Sequence, residues 1–476
     1  MNQRFVIRTL GMLLLAESAA MMLPLLIAFY YGENAGMFLI PIIVTLVVGA
    51  FFLRLKLEST HVGHKEGFLV ATFGWLSMAL FGSLPFMLGG ILPVDAFFET
   101  MSGFTTTGAS VLPDVESLPR SILFWRSLTH WMGGIGFIVL TLALIPSLKI
   151  AGFQLFSTEV TGPTKSKVLP RIAEAARQLY KLYIGITIAA LLSLKLAGLT
   201  WFDSFNHAFS TVATGGFSTY NKGIAAFNSI TVESIIVFFM IISGISFMLH
   251  FKVIRGDVRA YSRDGEFKAY IGIILFAAIL ISANLFKVGG LEAGQAVRQS
   301  LFQVVSILTG TGFAIVDYDL WPDFSRTLLI ILMFIGGCAG STSGGVKVIR
   351  HVILIKAAFR QLVKLVHPQA VVPLRVGGKI ISEETAETVH SFIILYLLTF
   401  AAGTALMAML GYDLATAFSS VAVTIGSIGP GLGLVGPAST YAGLLPAAKI
   451  LLSFMMLVGR LEIYSVFALL STRFWR

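Results

Sequence analysis

Long apolar runs recur along the whole chain, and most are near 20 residues in length. A run of that length matches the hydrocarbon thickness of a bilayer, so each predicts a membrane-spanning helix. Ten spans are predicted, near residues 10–31, 37–53, 67–91, 121–146, 178–199, 229–251, 268–288, 326–357, 388–411 and 446–472. The first run is longer than the apolar core of a secretory signal, so we interpret it as an uncleaved helix.

Four shorter segments of a different kind lie between the long runs. They fall near residues 95–112, 203–220, 298–314 and 413–429. Each begins like a short helix, ends in a Gly/Thr-rich run, and is too short and too polar to cross a bilayer alone. Irregular backbone at membrane depth is tolerated only where protein or a wet cavity surrounds it. These segments are therefore predicted to be re-entrant.

The composition agrees with a polytopic membrane protein. Of the 476 residues, 56% are hydrophobic and only 12% are charged, and that charge content is about half of the soluble average. A cytosolic globular protein is thereby excluded. The single cysteine, Cys338, excludes an internal disulfide and cysteine-based zinc or iron–sulfur sites.

The placement of the charges predicts the orientation in the membrane. When the loops alternate from a cytoplasmic N-terminus, 25 of the 34 lysines and arginines fall on one side, and the positive-inside rule makes that side cytoplasmic. Both termini are then cytoplasmic, and the four short segments enter from the outer face. The net charge of +10 follows from this topology and requires no nucleic acid.

The short segments contain an internal repeat, found by aligning a serine with a glycine six residues later. The four windows are Ser102–Gly108, Ser210–Gly216, Ser306–Gly312 and Ser420–Gly426. An aspartate lies seven residues before the serine in three of them, and the third window has Gln299 there. Close helix packing explains a lone pair such as Gly133-Gly134, but it requires neither a fixed spacing nor four copies.

Four such loops around one axis predict a cation filter. Glycine reaches the dihedrals that aim carbonyl oxygens inward, and a ring of carbonyls replaces the water shell of a monovalent cation. Pore helices that point their partly negative C-termini at the axis favour a cation further. The predicted filter residues are Thr106, Thr107, Gly108, Thr214, Gly215, Gly216, Gly310, Thr311, Gly312, Thr424, Ile425 and Gly426.

The repeat and three further stretches resemble the Trk/Ktr/HKT superfamily of potassium transporters, and the two extra N-terminal helices are most similar to its bacterial TrkH/TrkG branch. The stretches are Phe124–Gly136, Gly336–Lys347 and Gly459–Tyr464. The resemblance implies potassium uptake across the inner membrane, a homodimer with one pore per subunit, and a cytosolic nucleotide-binding regulator of the TrkA type. Glycine at all four filter positions is similar to the potassium-selective members. Gly310 departs from the pattern, because relatives commonly carry a hydroxyl residue there.

The run from Gly336 to Gly345 has five glycines in ten residues, too many to hold a helix. It predicts an irregular loop buried beneath the filter, and in the family the matching segment is an intramembrane gate. The predicted gate residues are Gly336, Gly337, Gly340, Ser341, Gly344, Gly345 and Arg460. The alternative for the loop is a static kink. Phosphate-loop and dinucleotide patterns at 336–347 and 431–436 lack the required endings or flanking strand, so nucleotide is expected on the partner and not on this chain.

Arg460 lies among apolar residues, where an arginine costs at least about 2.5–3.5 kcal/mol, so it is expected to face the pore or a carboxylate. The matching family position points toward the conduction path. The alternative is an ion pair with Glu462 or Glu233. Arg126 is expected to anchor its helix near the outer interface, and Glu17 to pair within the bundle.

Several acids are predicted to lie around the outer mouth of the pore. Asp95, Asp203 and Asp413 are best explained as caps of the pore helices, while Asp317 and Asp319 are candidates for a field that attracts cations. The remaining two are Glu99 and Asp114. His207 is expected to be a buried, hydrogen-bonded residue and not a metal ligand, because no His/Glu cluster accompanies it.

The predicted fold is an all-α polytopic membrane protein, with two N-terminal helices followed by four helix–pore loop–helix repeats. The preamble spans 1–60, and the repeats span 61–165, 166–262, 263–380 and 381–476. The expected mechanism is electrodiffusion of potassium, which is the bound and transported ion, and membrane lipid surrounds the protein. The alternative is a proton- or sodium-coupled symporter. A membrane scaffold or a lipid-modifying enzyme leaves the repeat unexplained, and no catalytic constellation is present.

Overall fold

The computed structural model describes residues 2–55, 63–148 and 168–475, and these residues are mostly helical. The chain begins with α1 (Gln3–Ala20), α2 (Met22–Tyr31) and α3 (Gly36–Leu53). Helices α1 and α2 form one apolar span of 29 residues. Where α1 crosses α3, a Cβ on Gly11 would lie 2.8 Å from the carbonyl oxygen of Gly49. Small residues let the two backbones approach this closely.

The next two groups of helices each enclose one short helix. The first group is α4 (His64–Gly82), α5 (Leu84–Leu88), α6 (Pro93–Phe104) and α7 (Arg120–Leu148). The second group is α8 (Val168–Leu196), α9 (Trp201–Val212), α10 (Ile230–Ser243) and α11 (Phe247–Ile254). The short helices α6 and α9 occupy two of the predicted re-entrant segments.

The third and fourth groups follow the same plan. The third is α12 (Ala260–Arg263), α13 (Gly265–Lys287), α14 (Ala293–Leu308), α15 (Asp323–Met333) and α16 (Val348–Val366). A two-stranded antiparallel hairpin, β1 (Arg375–Val376) and β2 (Lys379–Ile380), then leads to the fourth group. The fourth is α17 (Glu383–Met409), α18 (Leu414–Gly426), α19 (Pro446–Arg460), α20 (Tyr464–Leu470) and α21 (Thr472–Trp475). We call α6, α9, α14 and α18 the pore helices.

Six helices in the described residues are long and apolar enough to cross a membrane, and two bent pairs raise the number to eight. The other two of the ten predicted spans correspond to α7 and to the segment that contains α15 and α16. The predicted repeat boundaries near residues 60 and 165 lie outside the described residues, and the domain divisions stay predictions.

Two of the predicted spans are each formed by a pair of helices that meet at a sharp angle. Helices α10 and α11 meet at 95° across residues 244–246, and α19 and α20 meet at 115° across residues 461–463. Glu462 and Ile463 have positive φ, at 54° and 58°, which a continuous α-helix does not allow. The segments predicted as spans near 229–251 and 446–472 are therefore each formed by two helices and not by one.

The capping prediction holds for one of its three aspartates. Asp413 is the N-cap of α18 and accepts a hydrogen bond from Thr416 N at 3.1 Å, and its hydrogen bonds with Thr416 lower the pKa of Asp413. Asp203 and Asp95 are third residues of their helices. Asp95 Oδ1 instead forms an ion pair with Lys449 Nζ at 2.6 Å. An acid in the first turn still interacts favourably with the helix dipole, but neither Asp203 nor Asp95 is the N-cap.

Two glycines set the distance between pore helices and their neighbours. A Cβ on Gly133 of α7 would overlap the carbonyl oxygen of Phe104, the last residue of α6. A Cβ on Gly459 of α19 would likewise overlap the carbonyl oxygen of Ile425 in α18. The ends of these pore helices are therefore pressed against backbone where no side chain intervenes.

Substituting Gly133 by alanine tests this contact. We expect Gly133→Ala to destabilise the protein by about 1–3 kcal/mol, because the new methyl group is forced into a packed backbone. The measurement is the midpoint of thermal unfolding in detergent. Gly272→Ala is the matched control, since a Cβ on that helical glycine meets nothing within 4 Å. Equal midpoints for the two variants would show that the contact has no stabilising role.

Candidate ion pathway

All four pore helices end in the same backbone turn. In each, an amide N–H donates back across the helix end to a carbonyl five residues earlier. These bonds join Thr107 N to Ser102 O (2.9 Å), Gly215 N to Ser210 O (2.8 Å), Thr311 N to Ser306 O (2.9 Å) and Ile428 N to Val423 O (2.9 Å). The residues just before and just after each donor have positive φ. The four turns therefore align residue by residue.

This alignment moves the fourth window by three residues. Thr424, Ile425 and Gly426 are the last residues of α18, and the turn runs from Ser427 (φ 53°) to Gly429 (φ 100°). The residues that align with the other three windows are therefore 427–429, and not the predicted 424–426.

The error came from the serine used as an anchor. In the structural alignment Val423, not Ser420, corresponds to the serine of the other three windows. The Ser–Gly spacing of 420–426 is a coincidence within a helix, where small residues are common for packing reasons. The feature that the four windows share is a glycine with positive φ, and the sequence alone does not reveal the sign of φ.

At their glycines the four windows close into a ring. Each window ends in a glycine that lies against a carbonyl oxygen of the next window, at a distance that leaves no room for a Cβ. The pairs are Gly108 with Gly215 O, Gly216 with Thr311 O, Gly312 with Ile428 O, and Gly429 with Thr107 O. A side chain at any of the four would displace a neighbouring carbonyl, and positive φ independently favours glycine there.

The first positions of the windows are also equivalent. They are Thr106, Thr214, Gly310 and Ser427, with φ of 53°, 54°, 71° and 53°. Three of these four residues carry a hydroxyl group. Gly310 is the exception, so the third window lacks the hydroxyl that the other windows have at this position. The left-handed conformation costs a residue with a Cβ roughly 1–2 kcal/mol, and Gly310 avoids that strain.

Side chains of the pore helices hold the chain that leaves each window. Three backbone amides, each three residues after the window glycine, donate to pore-helix side chains. They are Val111 N to Glu99 Oε2 (2.9 Å), Ile315 N to Gln303 Oε1 (3.3 Å) and Leu432 N to Ser419 Oγ (2.9 Å). In the second window the corresponding hydrogen bond joins two side chains, since Thr219 Oγ1 donates to Asp203 Oδ1 at 2.8 Å.

His207 belongs to the same supporting layer. Its Nδ1 lies 2.8 Å from the carbonyl oxygen of Asp203 and its Nε2 lies 3.1 Å from Ser218 Oγ. The residue is fully buried, as predicted. No group of three or more metal-ligating side chains occurs in the described part of the chain.

Arg126 is a buried part of the site and not an interfacial anchor. Its guanidinium pairs with Glu99 at 2.8 Å and lies 4.1 Å from the centre of the Phe217 ring. The same arginine donates to the carbonyl oxygen of Ser218 at 3.1 Å. Glu99, expected at the outer mouth, is completely buried. The earlier placements failed because neither residue has a sequence signal for its partner in another segment.

His130 lies directly behind the second window. Its ring stacks on Phe217 with centres 4.0 Å apart, and a Cβ on Gly215 would overlap the imidazole. A side chain at Gly215 is therefore excluded from behind. The sequence contained this histidine only as part of a matching stretch, without a role.

A cavity of about 210 Å³ opens on the side of the ring away from the pore helices, which we call the outer side, and we call the opposite side the inner side. All four window glycines line it, together with Arg126 and Lys222. Asp317 and Asp319, candidates for an attractive field, do not line it. Asp317 accepts a bond from Asp319 N at 3.1 Å, and Asp319 accepts one from Gly433 N at 2.9 Å. Asp114 lies in a nearby loop, where a hydrogen bond from Asn221 lowers its pKa.

The predicted intramembrane loop lies on the opposite side of the ring. We call residues 334–347, between α15 and α16, the glycine loop. It is closed at its base by a bond from Gly336 N to Val346 O at 2.9 Å. Gly337 N donates to Ser343 Oγ at 2.9 Å, and Ser341 is fully buried.

The glycine loop contacts the C-terminal ends of three pore helices. Thr342 Oγ1 donates to Val212 O at 3.0 Å, and Ser343 Oγ donates to Thr309 O at 2.6 Å. A Cβ on Gly344 would lie 2.5 Å from Gly426 O. Gly340 O accepts from Phe247 N at 3.0 Å, and Gly345 has φ of +70°. The loop therefore covers the inner side of the ring with small residues and carbonyls.

Arg460 is the last residue of α19 and is 1% exposed. Its guanidinium donates to Thr342 O of the glycine loop at 3.0 Å and to Gly133 O at 3.2 Å. Glu462 pairs with Arg350 at 2.6 Å, and Glu233 pairs with Arg298 at 3.3 Å. The alternative of an ion pair to one of these two acids is thus not what the structure shows.

Glu17 of α1 does not pair as expected. It is completely buried, and neither carboxylate oxygen has a hydrogen-bond partner among the described residues. The side chain lies against Gly82 of α4.

A ring of four re-entrant loops inside a bundle of apolar helices defines a class, the pore-loop membrane transport proteins. The family model described as TrkH, cation transport protein, matches residues 36–475. Trk system potassium uptake protein TrkH of Escherichia coli strain K12 is 39% identical, and the similarity covers all of both chains. TrkG of the same organism is 35% identical over 99% of each chain.

A solved structure agrees with these relatives. The crystal structure of the potassium transporter TrkH from Vibrio parahaemolyticus superposes with a TM-score of 0.92 and 38% identity over all of both chains. The chain therefore belongs to the TrkH family of cation transport proteins. The resemblance and the fold class are confirmed, and the protein is a multi-pass membrane transporter and not an enzyme.

The register of the fourth window can be tested with two substitutions. Gly429→Ser is expected to lower selectivity among monovalent cations roughly tenfold, because displacing one carbonyl loses an interaction of about 1–3 kcal/mol. The measurement is the ratio of rubidium to sodium flux in proteoliposomes. Thr424→Val, within α18, is the control and keeps its ratio. Loss of selectivity in Thr424→Val alone would restore the original register.

Proposed function

We propose that this protein takes up potassium across the inner membrane through a narrow filter of backbone carbonyls. The observation that carries the proposal is the closed ring of four windows, each glycine of which lies against a carbonyl oxygen of its neighbour. The four pore helices end at this ring, and the partly negative C-terminal ends of their dipoles favour a cation there. The filter is formed by residues 106–108, 214–216, 310–312 and 427–429.

Potassium is the ion that the names of the relatives specify. E. coli TrkH and TrkG are both named potassium uptake proteins, and the solved Vibrio structure is titled a potassium transporter. Four positive-φ glycines, one in each window, suit a ring of carbonyls that replaces the water shell of potassium. We assign the bound and transported ion on this basis.

The glycine loop and Arg460 form the gate in this proposal. The loop lies against the ends of three pore helices, so an ion leaving the filter meets it first. Arg460 holds the loop at Thr342 O and places a positive charge on the inner side of the ring. Residues 340–345 of the loop are only glycine, serine and threonine, so moving this part displaces little side-chain volume.

The remaining parts of the proposal concern topology and partners. Both termini are cytoplasmic, as the basic residues of the inner loops indicate. The word system in the names of the relatives supports an associated regulatory subunit, which we assign as a cytosolic nucleotide-binding protein of the TrkA type. The transporter is a homodimer with one pore in each subunit, and this chain binds no nucleotide.

Flux in proteoliposomes tests the ion and the mechanism together. We expect rubidium and potassium uptake to follow the electrochemical gradient and to exclude sodium, with the voltage set by an ionophore. Gly108→Ser is expected to admit sodium, since its side chain would displace Gly215 O. Uptake that requires a sodium or proton gradient at zero voltage would instead establish the symport alternative, and Glu17, as an unpaired buried acid, would then be examined first.

The gate assignment is tested by Arg460→Ala. Removing the guanidinium is expected to raise rubidium flux roughly tenfold without changing the ratio of rubidium to sodium. The reason is that one charge-assisted bond of about 1.5–3 kcal/mol to the loop is lost and a positive charge is removed. Arg326→Ala, on the outer side and paired with Asp319 and Asp323, is the control. Reduced or unchanged flux in Arg460→Ala argues against a gating arginine.

A further inference from the structure

The glycine loop is held in place by a residue that the sequence patterns did not identify. Glu266 is the second residue of α13. Its Oε1 accepts hydrogen bonds from Ala339 N at 2.7 Å and from Ile349 N at 3.0 Å. Ala339 lies in the first half of the glycine loop, and Ile349 lies just after the loop in the first turn of α16. One carboxylate oxygen therefore joins the two sides of the loop.

The chemistry of this contact favours a carboxylate. The first amides of a helix have no intrahelical partner, and Ile349 N is one of these in α16. A negative charge at a helix N-terminus is stabilised by the helix dipole. Bonds from amides to a charged acceptor are also stronger than neutral ones. Glu266 thus caps α16 from a different helix while fixing Ala339.

The contact is distinct from the others that position the loop. Above, Thr342 and Ser343 bond to pore-helix carbonyls. At the side, Cys338 N donates to Gly244 O at 2.8 Å, in the bend between α10 and α11. These bonds attach the loop to the bundle at single points, whereas Glu266 joins its entry to its exit, as the bond from Gly336 N to Val346 O does at the base.

We propose that Glu266 is a positioning residue that latches the glycine loop in its closed arrangement under the filter. The inference rests on the proposed function of that loop as the gate. When the latch is broken, the start of α16 and residue 339 separate, and the loop leaves the ends of the pore helices. Ion flow then increases with no change in filter selectivity.

The latch is within reach of the hairpin formed by β1 and β2. Gly265, next to Glu266, packs on Gly377 at the hairpin turn, and a Cβ on Gly377 would lie 3.2 Å from Gly265 N. The neighbouring Lys379 and Ile380 are exposed. A partner that moves the hairpin therefore acts on the residue beside the latch.

The single cysteine of the chain provides a direct readout of loop movement. Cys338 lies in the glycine loop and is buried. The experiment measures, in the full-length protein in proteoliposomes, the rate at which a neutral maleimide labels Cys338 and the rubidium flux. The variants are Glu266→Met, which removes the acceptor, and Glu266→Gln, which keeps an acceptor oxygen without the charge. Asp257→Asn, an exposed acid paired with Arg263, is the control.

We expect labelling and flux to rise roughly tenfold in Glu266→Met, because two hydrogen bonds are lost. Glu266→Gln is expected to fall between Glu266→Met and the wild type, and the rubidium-to-sodium ratio stays constant throughout. Both variants remove the charge near the thiol, so a difference between them reports the hydrogen bonds. Equal labelling in Glu266→Met and Glu266→Gln, or unchanged labelling in both, would overturn the latch. Faster labelling without increased flux would uphold the latch and refute the gate.

The hairpin supplies a second pair of variants should Glu266→Met fail to fold. Gly377 and Gly378 both have positive φ, at 56° and 80°, so valine strains the backbone at either position. A Cβ on Gly378 meets nothing within 4 Å, whereas one on Gly377 presses on Gly265. Faster Cys338 labelling in Gly377→Val than in Gly378→Val supports the latch, and equal rates contradict it.

Discussion

The ring depends on the absence of four side chains. Gly108, Gly216, Gly312 and Gly429 each lie against a carbonyl oxygen of the adjacent window, so the windows can close only while these positions lack a Cβ. The positive φ of the same residues imposes the requirement a second time. Backbone, and not side chains, therefore forms the ring, and the surrounding structure holds that backbone in place.

That supporting structure differs chemically from window to window although its geometry repeats. In three windows a pore-helix side chain accepts a hydrogen bond from a backbone amide of the chain that leaves the window, and these acceptors are Glu99, Gln303 and Ser419. In the second window Asp203 accepts a hydrogen bond from the hydroxyl of Thr219. Glu99 is itself neutralised by Arg126, because a lone buried charge would be costly. An equivalent backbone position is thus maintained by a carboxylate, an amide or a hydroxyl.

The inner side of the ring follows a different principle. Three of the four second helices are interrupted there, at residues 244–246, 334–347 and 461–463, and hydrogen bonds join the interrupted segments to one another. Cys338 N donates to Gly244 O, and Arg460 at the end of α19 donates to Thr342 O. The interruptions therefore support each other, which explains how irregular backbone is tolerated at this depth.

The sequence by itself determined the membrane class, the four short segments, the glycine loop and three of the four windows, because apolar length and a repeated spacing are local properties. It did not determine the fourth window, since helical Thr424–Gly426 imitates the spacing and only the backbone dihedrals distinguish it from residues 427–429. The bends at 244–246 and 461–463 were missed for the same reason. The partners of Arg126, Glu462 and Glu266 were decided by the tertiary structure alone, because they join residues that are far apart in the chain and are brought together only by packing.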